Sequence, residues 1–207
     1  MTESGIPDTG VVTTVDLLRH GEPQGGRRFR GQTDDPLSEL GWRQMWAAVG
    51  DAAPWQQVVS SPLQRCSAFA RALAEKRRVS CSLEPGFKEI RFGEWEGYTP
   101  EEIQLRDGEH YRRYRDDPEG FMPAGAESMA EFVARVAQTW ESLLDAQQGR
   151  HVLLVCHAGV VRAVLGLILD ITPKNLFRIQ VDYASLSRLK IVAGQPPALV
   201  FHGGRLP

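Results

Sequence analysis

An apolar run, Val11 to Val15, leads into Leu17-Leu18-Arg19-His20-Gly21-Glu22. A strand that stops at Arg-His-Gly delivers an imidazole and a guanidinium to its carboxyl end, where open α/β sheets place their chemistry. The pattern returns near the other end of the chain. His151-Val152-Leu153-Leu154-Val155-Cys156 runs into His157-Ala158-Gly159. Two buried strands, each ending in a histidine with a glycine within two residues, predict two imidazoles facing each other across a pocket.

Further strands are expected over Gln57–Ser60, Val79–Leu83, Ser185–Val192 and Ala198–His202, with the first over Val11–Leu18 and the fourth over Val152–Cys156. Helical patterns lie between most of them. Leu40–Gly50 is one. Leu63–Lys76 is another, with Ser61 suited to its N-cap, Pro62 to its first helical position and Lys76–Arg78 to the negative end of its dipole. Ser128 and Glu131 have capping-box spacing and open a helix to about Ala146. Val160–Leu169 is apolar almost all round and should be buried. Alternating strands and helices predict an α/β fold, a three-layer α/β/α sandwich with a mainly parallel sheet.

The 207 residues suit one core, here a single domain over 11–207, preceded by a polar, flexible tail over 1–10 that lacks the apolar stretch of a signal peptide. Between Ile90 and Ala126 the alternation breaks. Thr99-Pro100-Glu101-Glu102 can cap one short helix there and His110–Asp116 can form another. An insertion of that length, about 90–126, is expected to be a small lid. Hydrophobic content of 42 % and charged content of 24 % are those of a soluble globular protein. A net charge of −2 gives no reason to expect nucleic-acid or anionic-membrane partners, and no apolar run approaches the ~20 residues that span a bilayer. Cys66, Cys81 and Cys156 have no metal-like spacing and suit free thiols in a cytoplasm.

The residue types at the strand ends suit phosphoryl transfer. A neutral histidine nitrogen attacks phosphorus and forms a phosphoramidate that water can break. Adjacent cations, Arg19 first, favour the neutral ring. Guanidinium forks match phosphate oxygens, and Ser60-Ser61-Pro62-Leu63-Gln64-Arg65 supplies a second arginine where a strand gives way to a helix. His157-Ala158-Gly159, opening another helix, adds backbone N–H donors at its positive end. The leaving alkoxide needs an acid, sought in Phe87-Lys88-Glu89-Ile90-Arg91-Phe92-Gly93-Glu94-Trp95-Glu96-Gly97.

These motifs, in this order, resemble the histidine phosphatase superfamily, the group that includes cofactor-dependent phosphoglycerate mutase. The likeness runs from about Val15 to about Arg162 and also takes in Phe29-Arg30-Gly31-Gln32-Thr33-Asp34-Asp35-Pro36-Leu37-Ser38 and Gly125 with Glu127-Ser128. It implies that His20 is the phosphorylated nucleophile, that Arg19, Arg65 and His157 grip the phosphoryl oxygens, and that Glu89 is the proton donor. It also implies that the Gly21 carbonyl orients the His20 ring, and that Arg30, Gly31 and Gln32 line the mouth of the site. No metal or other cofactor is implied. Many members carry an asparagine soon after the tetrad; this chain has Gln24-Gly25-Gly26 there and no asparagine before Asn175. Gln24, Gln32 or the glycine amides are expected in its place.

Arg27, Arg28 and Arg30 form one basic cluster, and Arg112, Arg113 and Arg115 another; each reads as a solvated face or as a funnel for an anionic substrate. Trp95, Tyr98, Tyr111 and Tyr114 read as lid packing or as a stacking surface. Cys156 reads as strand core, and His110, His151 and His202 have no evident partners. The short chain favours a phosphomonoesterase over a mutase. The segment Gly25 to Trp42 is similar to bacterial α-ribazole phosphatases, which makes α-ribazole 5′-phosphate the first substrate to consider. A broad-specificity sugar or nucleotide phosphatase, a phosphoglycerate mutase and a fructose-2,6-bisphosphatase-like enzyme are the alternatives. A protein phosphohistidine phosphatase and a non-catalytic phosphate-binding module are the other classes. The expected partner is a small phosphorylated metabolite, and the protein is expected to be a cytoplasmic monomer or homodimer.

Overall fold

The computed structural model describes residues 10–51 and 54–204, so the expected tail lies almost wholly outside the described residues. Six strands form one sheet: β1 (Val12–Arg19), β2 (Gln57–Ser60), β3 (Ser80–Leu83), β4 (His151–Cys156), β5 (Leu186–Val192) and β6 (Ala198–Gly204). Their spatial order is β3-β2-β4-β1-β5-β6. The first four are mutually parallel; β5 pairs antiparallel with β1, and β6 antiparallel with β5. The sheet is thus mainly parallel, as the alternation of strands and helices predicts.

The two-residue period of the strands divides the apolar side chains between two faces. Leu18, Val58, Leu153, Val155 and Leu186 pack with α1 (Glu39–Val49) and α2 (Gln64–Arg77). Val15, Leu17, Val152, Leu154 and Cys156 pack with α4 (Met129–Ala146) and α5 (Ala158–Ile168) on the other face. Helices cover both faces, giving three layers. No helix among the described residues is long and apolar enough to cross a membrane.

Ser38 caps α1, whereas α2 and α5 open without a side-chain cap. The Ser128–Glu131 capping box opens α4 as the spacing predicts. Ser61, however, does not cap α2. The helix begins at Gln64 with Leu63 in the cap position and no side-chain cap. The Ser61 hydroxyl is engaged elsewhere, 2.7 Å from His157 Nε2.

The insertion holds the two helical stretches that its sequence suggests. They run into one another as α3 (Pro100–Asp116), opened by a Thr99–Glu102 capping box and broken at Asp107, whose φ of −151° and ψ of 74° are not helical. Its buried face is aromatic. Tyr111 and Tyr114 pack edge-on against Phe29 and Trp95. The insertion's aromatic rings therefore pack mainly on one another. Tyr98 differs: it is exposed, with the Arg106 guanidinium 4.2 Å above its ring.

Candidate active site

The register between β1 and β4 sets the centre of the site. Arg19 lies opposite Cys156, and the His20 N–H donates to the Cys156 carbonyl at 2.9 Å. The next residue on each strand is a histidine, so the two imidazoles leave the sheet side by side. Their ring centroids are 5.2 Å apart with the planes at 65°. His20 is 6 % exposed at the floor of a cleft of about 660 Å³. His157 is fully enclosed behind it and is not among the cleft-lining residues.

The Gly21 carbonyl fixes the tautomer of His20. Nδ1 lies 2.7 Å from that oxygen. A carbonyl can only accept, so Nδ1 carries the hydrogen and the lone pair is on Nε2. Gly21 leaves no room for a side chain, since a Cβ would stand 2.3 Å from the Gly41 carbonyl oxygen. Burial pushes the His20 imidazole well below its ordinary protonation range, and the Arg19 and Arg65 guanidinium groups push it further. His157 is lowered by burial and then by Arg65. Both rings are held neutral.

Arg19 and Arg65 are fixed by backbone carbonyls rather than by acids. Arg19 Nη1 donates to Val181 O at 2.6 Å, and its guanidinium lies 4.0 Å above the Tyr183 ring. Arg65 is 1 % exposed and donates to Thr33 O at 2.7 Å and Gly31 O at 2.6 Å. Each retains a buried Nε with no hydrogen-bond partner among the described residues. Two orphaned charged donors beside a neutral imidazole suit an oxyanion.

Glu89 lines the same cleft. Its Oε2 accepts from the Gly159 N–H at 3.1 Å and its Oε1 from the Ile90 N–H at 3.1 Å. The neighbouring acids do other things. Glu96 holds the 31–33 loop, accepting from the Gln32 N–H, the Thr33 N–H and the Phe92 N–H. Glu94 is exposed and does not line the cleft. The Gly159 amide is thus spent on Glu89 and does not face a substrate as a free donor, and neither Ala158 nor Gly159 lines the main cleft.

Around the mouth, Arg30 and Gly31 line the cleft as expected, whereas Gln32 does not. Arg30 is paired with Asp35 at 2.9 Å. Gln24, Gly25 and Gly26 are also absent from the lining. Asn175, far along the chain, does reach the wall, carried there by a 3-10 turn over Pro173–Arg178. Arg27, Arg28 and Arg115 line the cleft; Arg112 and Arg113 are exposed outside it, Arg113 paired with Glu109. Tyr183 and the 173–178 turn were not foreseen as site residues. The remaining histidines have structural partners: His151 pairs with Asp16, His202 with Ser187, and His110 with the Phe121 carbonyl. No group of three His, Cys, Asp or Glu side chains that would hold a metal ion occurs among the described residues.

A family model described as histidine phosphatase superfamily, branch 1, matches residues 15–202. The chain belongs to that superfamily. Relatives named as phosphatases and as phosphoglycerate mutases are among the proteins it resembles. It is 36 % identical over 183 residues to the bifunctional protein Rv2228c of Mycobacterium tuberculosis, covering 86 % of this chain and 50 % of that one. The chain spans about half the length of that relative. It is 28 % identical to the adenosylcobalamin/α-ribazole phosphatase of Salmonella typhimurium, over 86 % of this chain and 90 % of the other. Among solved histidine phosphatase structures, the mycobacterial glucosyl-3-phosphoglycerate phosphatase superposes with a TM-score of 0.82 at 26 % identity, covering 93 % of this chain and 99 % of the other.

Proposed function

We propose that this protein is a metal-independent phosphomonoesterase that works through a phosphohistidine on His20 and acts on a small phosphorylated metabolite. The single observation that carries this reading is the tautomer of His20: Nδ1 is bound to the Gly21 carbonyl, the ring is neutral, and Nε2 holds a free lone pair beside two arginines. In the first half-reaction His20 Nε2 attacks phosphorus and the ester P–O bond breaks. Glu89 gives its proton to the leaving oxygen, and Arg19 and Arg65 take the charge of the equatorial oxygens. In the second, Glu89 takes a proton from water, water attacks the phosphoramidate, and inorganic phosphate leaves. His157, pressed edge-on to His20 and held by the Ser61 hydroxyl, supports the ring from behind instead of gripping the phosphoryl oxygens itself.

α-Ribazole 5′-phosphate is the first compound to assay, supported by the likeness over Gly25 to Trp42 and by the Salmonella relative. The mutual packing of Tyr111, Tyr114 and Phe29 gives a flat heterocycle few free faces to stack on. A panel of phosphate esters including this compound, with p-nitrophenyl phosphate as a reactive reference and His20→Ala as the blank, tests the reading. Turnover with an acid-labile phosphoenzyme trapped by rapid quench supports it. Equal rates in protein and blank overturn it.

A further inference from the structure

The cleft carries more positive charge than one phosphomonoester needs. Nine arginine and lysine side chains line it against two carboxylates, Glu89 and Asp116, although the whole chain has a net charge of −2. Arg19 and Arg65 form the floor. Arg30 is neutralised by Asp35, and Arg28 lies 3.7 Å from Glu102. The remaining five, Arg27, Arg115, Arg162, Lys174 and Arg178, form no ion pair among the described residues.

Four of those five sit on three elements that one side chain links. Phe177 stands 5.8 Å from the Tyr114 ring and 5.2 Å from the Arg162 guanidinium. It thereby joins the end of α3, which carries Arg115, to the second turn of α5, which carries Arg162, and to its own turn, which carries Lys174 and Arg178. Arg162 is half-buried and its one hydrogen bond to described residues runs from Nε to Ile179 O at 2.9 Å. A fold gains nothing for stability by assembling unpaired cations in this way; like charges held together repel. Guanidinium forks match carboxylate and phosphate alike.

We infer that this wall is a second anion subsite and that the substrate's leaving group carries a carboxylate or a second phosphate, which docks against Arg162, Arg115, Lys174 and Arg178. The inference rests on the phosphomonoesterase reading above and narrows its substrate class. It favours anionic leaving groups over a nucleoside such as α-ribazole, which has no second anion to offer. Long-range steering is the competing account of the same charge. It differs in effect, because steering raises encounter with every phosphate ester, whereas a subsite rewards only those with a second anion.

Matched pairs separate the two. Kinetics on 3-phosphoglycerate against glycerol 3-phosphate test a carboxylate, and fructose 1,6-bisphosphate against fructose 6-phosphate tests a second phosphate. The same pairs are titrated by calorimetry into His20→Ala protein, which reports binding without turnover. The doubly anionic member of at least one pair should lead by about tenfold or more in kcat/KM and in Kd, the scale of a charge-assisted contact. Which pair shows the lead identifies the anion. Lys174→Ala/Arg178→Ala, two exposed positions, and separately Arg162→Gln should bring that ratio towards one. Equal values within both pairs, or variants that weaken both members of a pair by the same factor, overturn the subsite. Absence of turnover on every ester including p-nitrophenyl phosphate would sink the phosphatase reading alone, with calorimetry still deciding the subsite.

Discussion

The Gly159 amide donates to Glu89 Oε2 at 3.1 Å, so the first turn of α5 holds the carboxylate at the edge of the cleft. A glycine is required there. A Cβ at position 159 would stand 2.2 Å from Glu89 Oε1 and 3.2 Å from Phe132 Cζ. Gly159→Ala should therefore displace Glu89 while leaving His20 in place. The expected outcome is a rate loss of about tenfold or more on alkyl phosphates and a smaller loss on p-nitrophenyl phosphate, whose leaving group needs little protonation. Equal losses on both esters would remove Glu89 from the proton-transfer step.

Glu89→Gln and Glu96→Gln should fail differently. The first keeps size and loses the proton, so turnover of alkyl esters should fall by ~10²-fold or more with little change in melting temperature. The second weakens a carboxylate that accepts from three backbone amides of two loops. It should cost stability, by about 1–3 kcal/mol. Paired denaturant melts and leaving-group series distinguish the two.

The pH dependence follows from the two neutral imidazoles. His20 and His157 are both held well below the ordinary value of 6.5, by burial first and then by the cleft arginines. In the unfolded chain they protonate near that value, so below it the unfolded state binds more protons and folding stability falls. Each unit of pH below 6.5 should remove up to about 1.4 kcal/mol per ring until the folded value is reached. The acid limb of kcat/KM that belongs to His20 should lie below 6.5. Urea melts and rates from pH 7.5 to pH 5 test both statements, and an acid limb above 6.5 would contradict the second.

Asp16 is a buried charge remote from catalysis. It is 0 % exposed and accepts from Arg188 at 2.7 and 2.9 Å and from Trp55 at 2.8 Å, with His151 Nε2 at 3.0 Å. Burial alone would raise its carboxyl, but these bonds outweigh it and hold it below 3.8. Its stabilisation is present above that value and is lost as pH falls through the lower folded value. Asp16→Asn should cost about 1–3 kcal/mol, because the buried cluster loses its one anionic acceptor while the partly exposed Arg188 keeps access to water. A melt within experimental error of the native protein would show that the cluster is neutral in its net effect.

Much of the site was legible because its residues sit at element ends. Strand-terminal His20 and His157, Arg65 in the first turn of α2 and Glu89 beyond β3 are placed by periodicity, and the sheet brings them together. Asn175, Lys174 and Arg178 were not legible. They lie on a 3-10 turn with no period of its own, held at the cleft by tertiary contacts: buried Leu176 against α5, the Arg162 bond to Ile179 O and Phe177 against Tyr114. The Ser61 cap was misread for a related reason. Its sequence context is that of an N-cap, but the hydroxyl has a tertiary partner in His157 that no local pattern encodes. The insertion's two helical stretches were legible from the Thr99–Glu102 box and the His110–Asp116 run, whereas their junction at Asp107 carried no local signal.

The backbone ladder that aligns Arg19 with Cys156 also divides labour along the chain. The two histidines owe their spacing to main-chain bonds between neighbouring strands, which tolerate wide change in the side chains around them. The rim comes from the loop after β1, the 90–126 insertion and the 173–178 turn, which contribute no strand to the sheet. Substitutions at the rim can therefore accumulate without disturbing the reacting pair. A lineage built on this frame is free to exchange one alcohol for another while its phosphorus chemistry stays as it was.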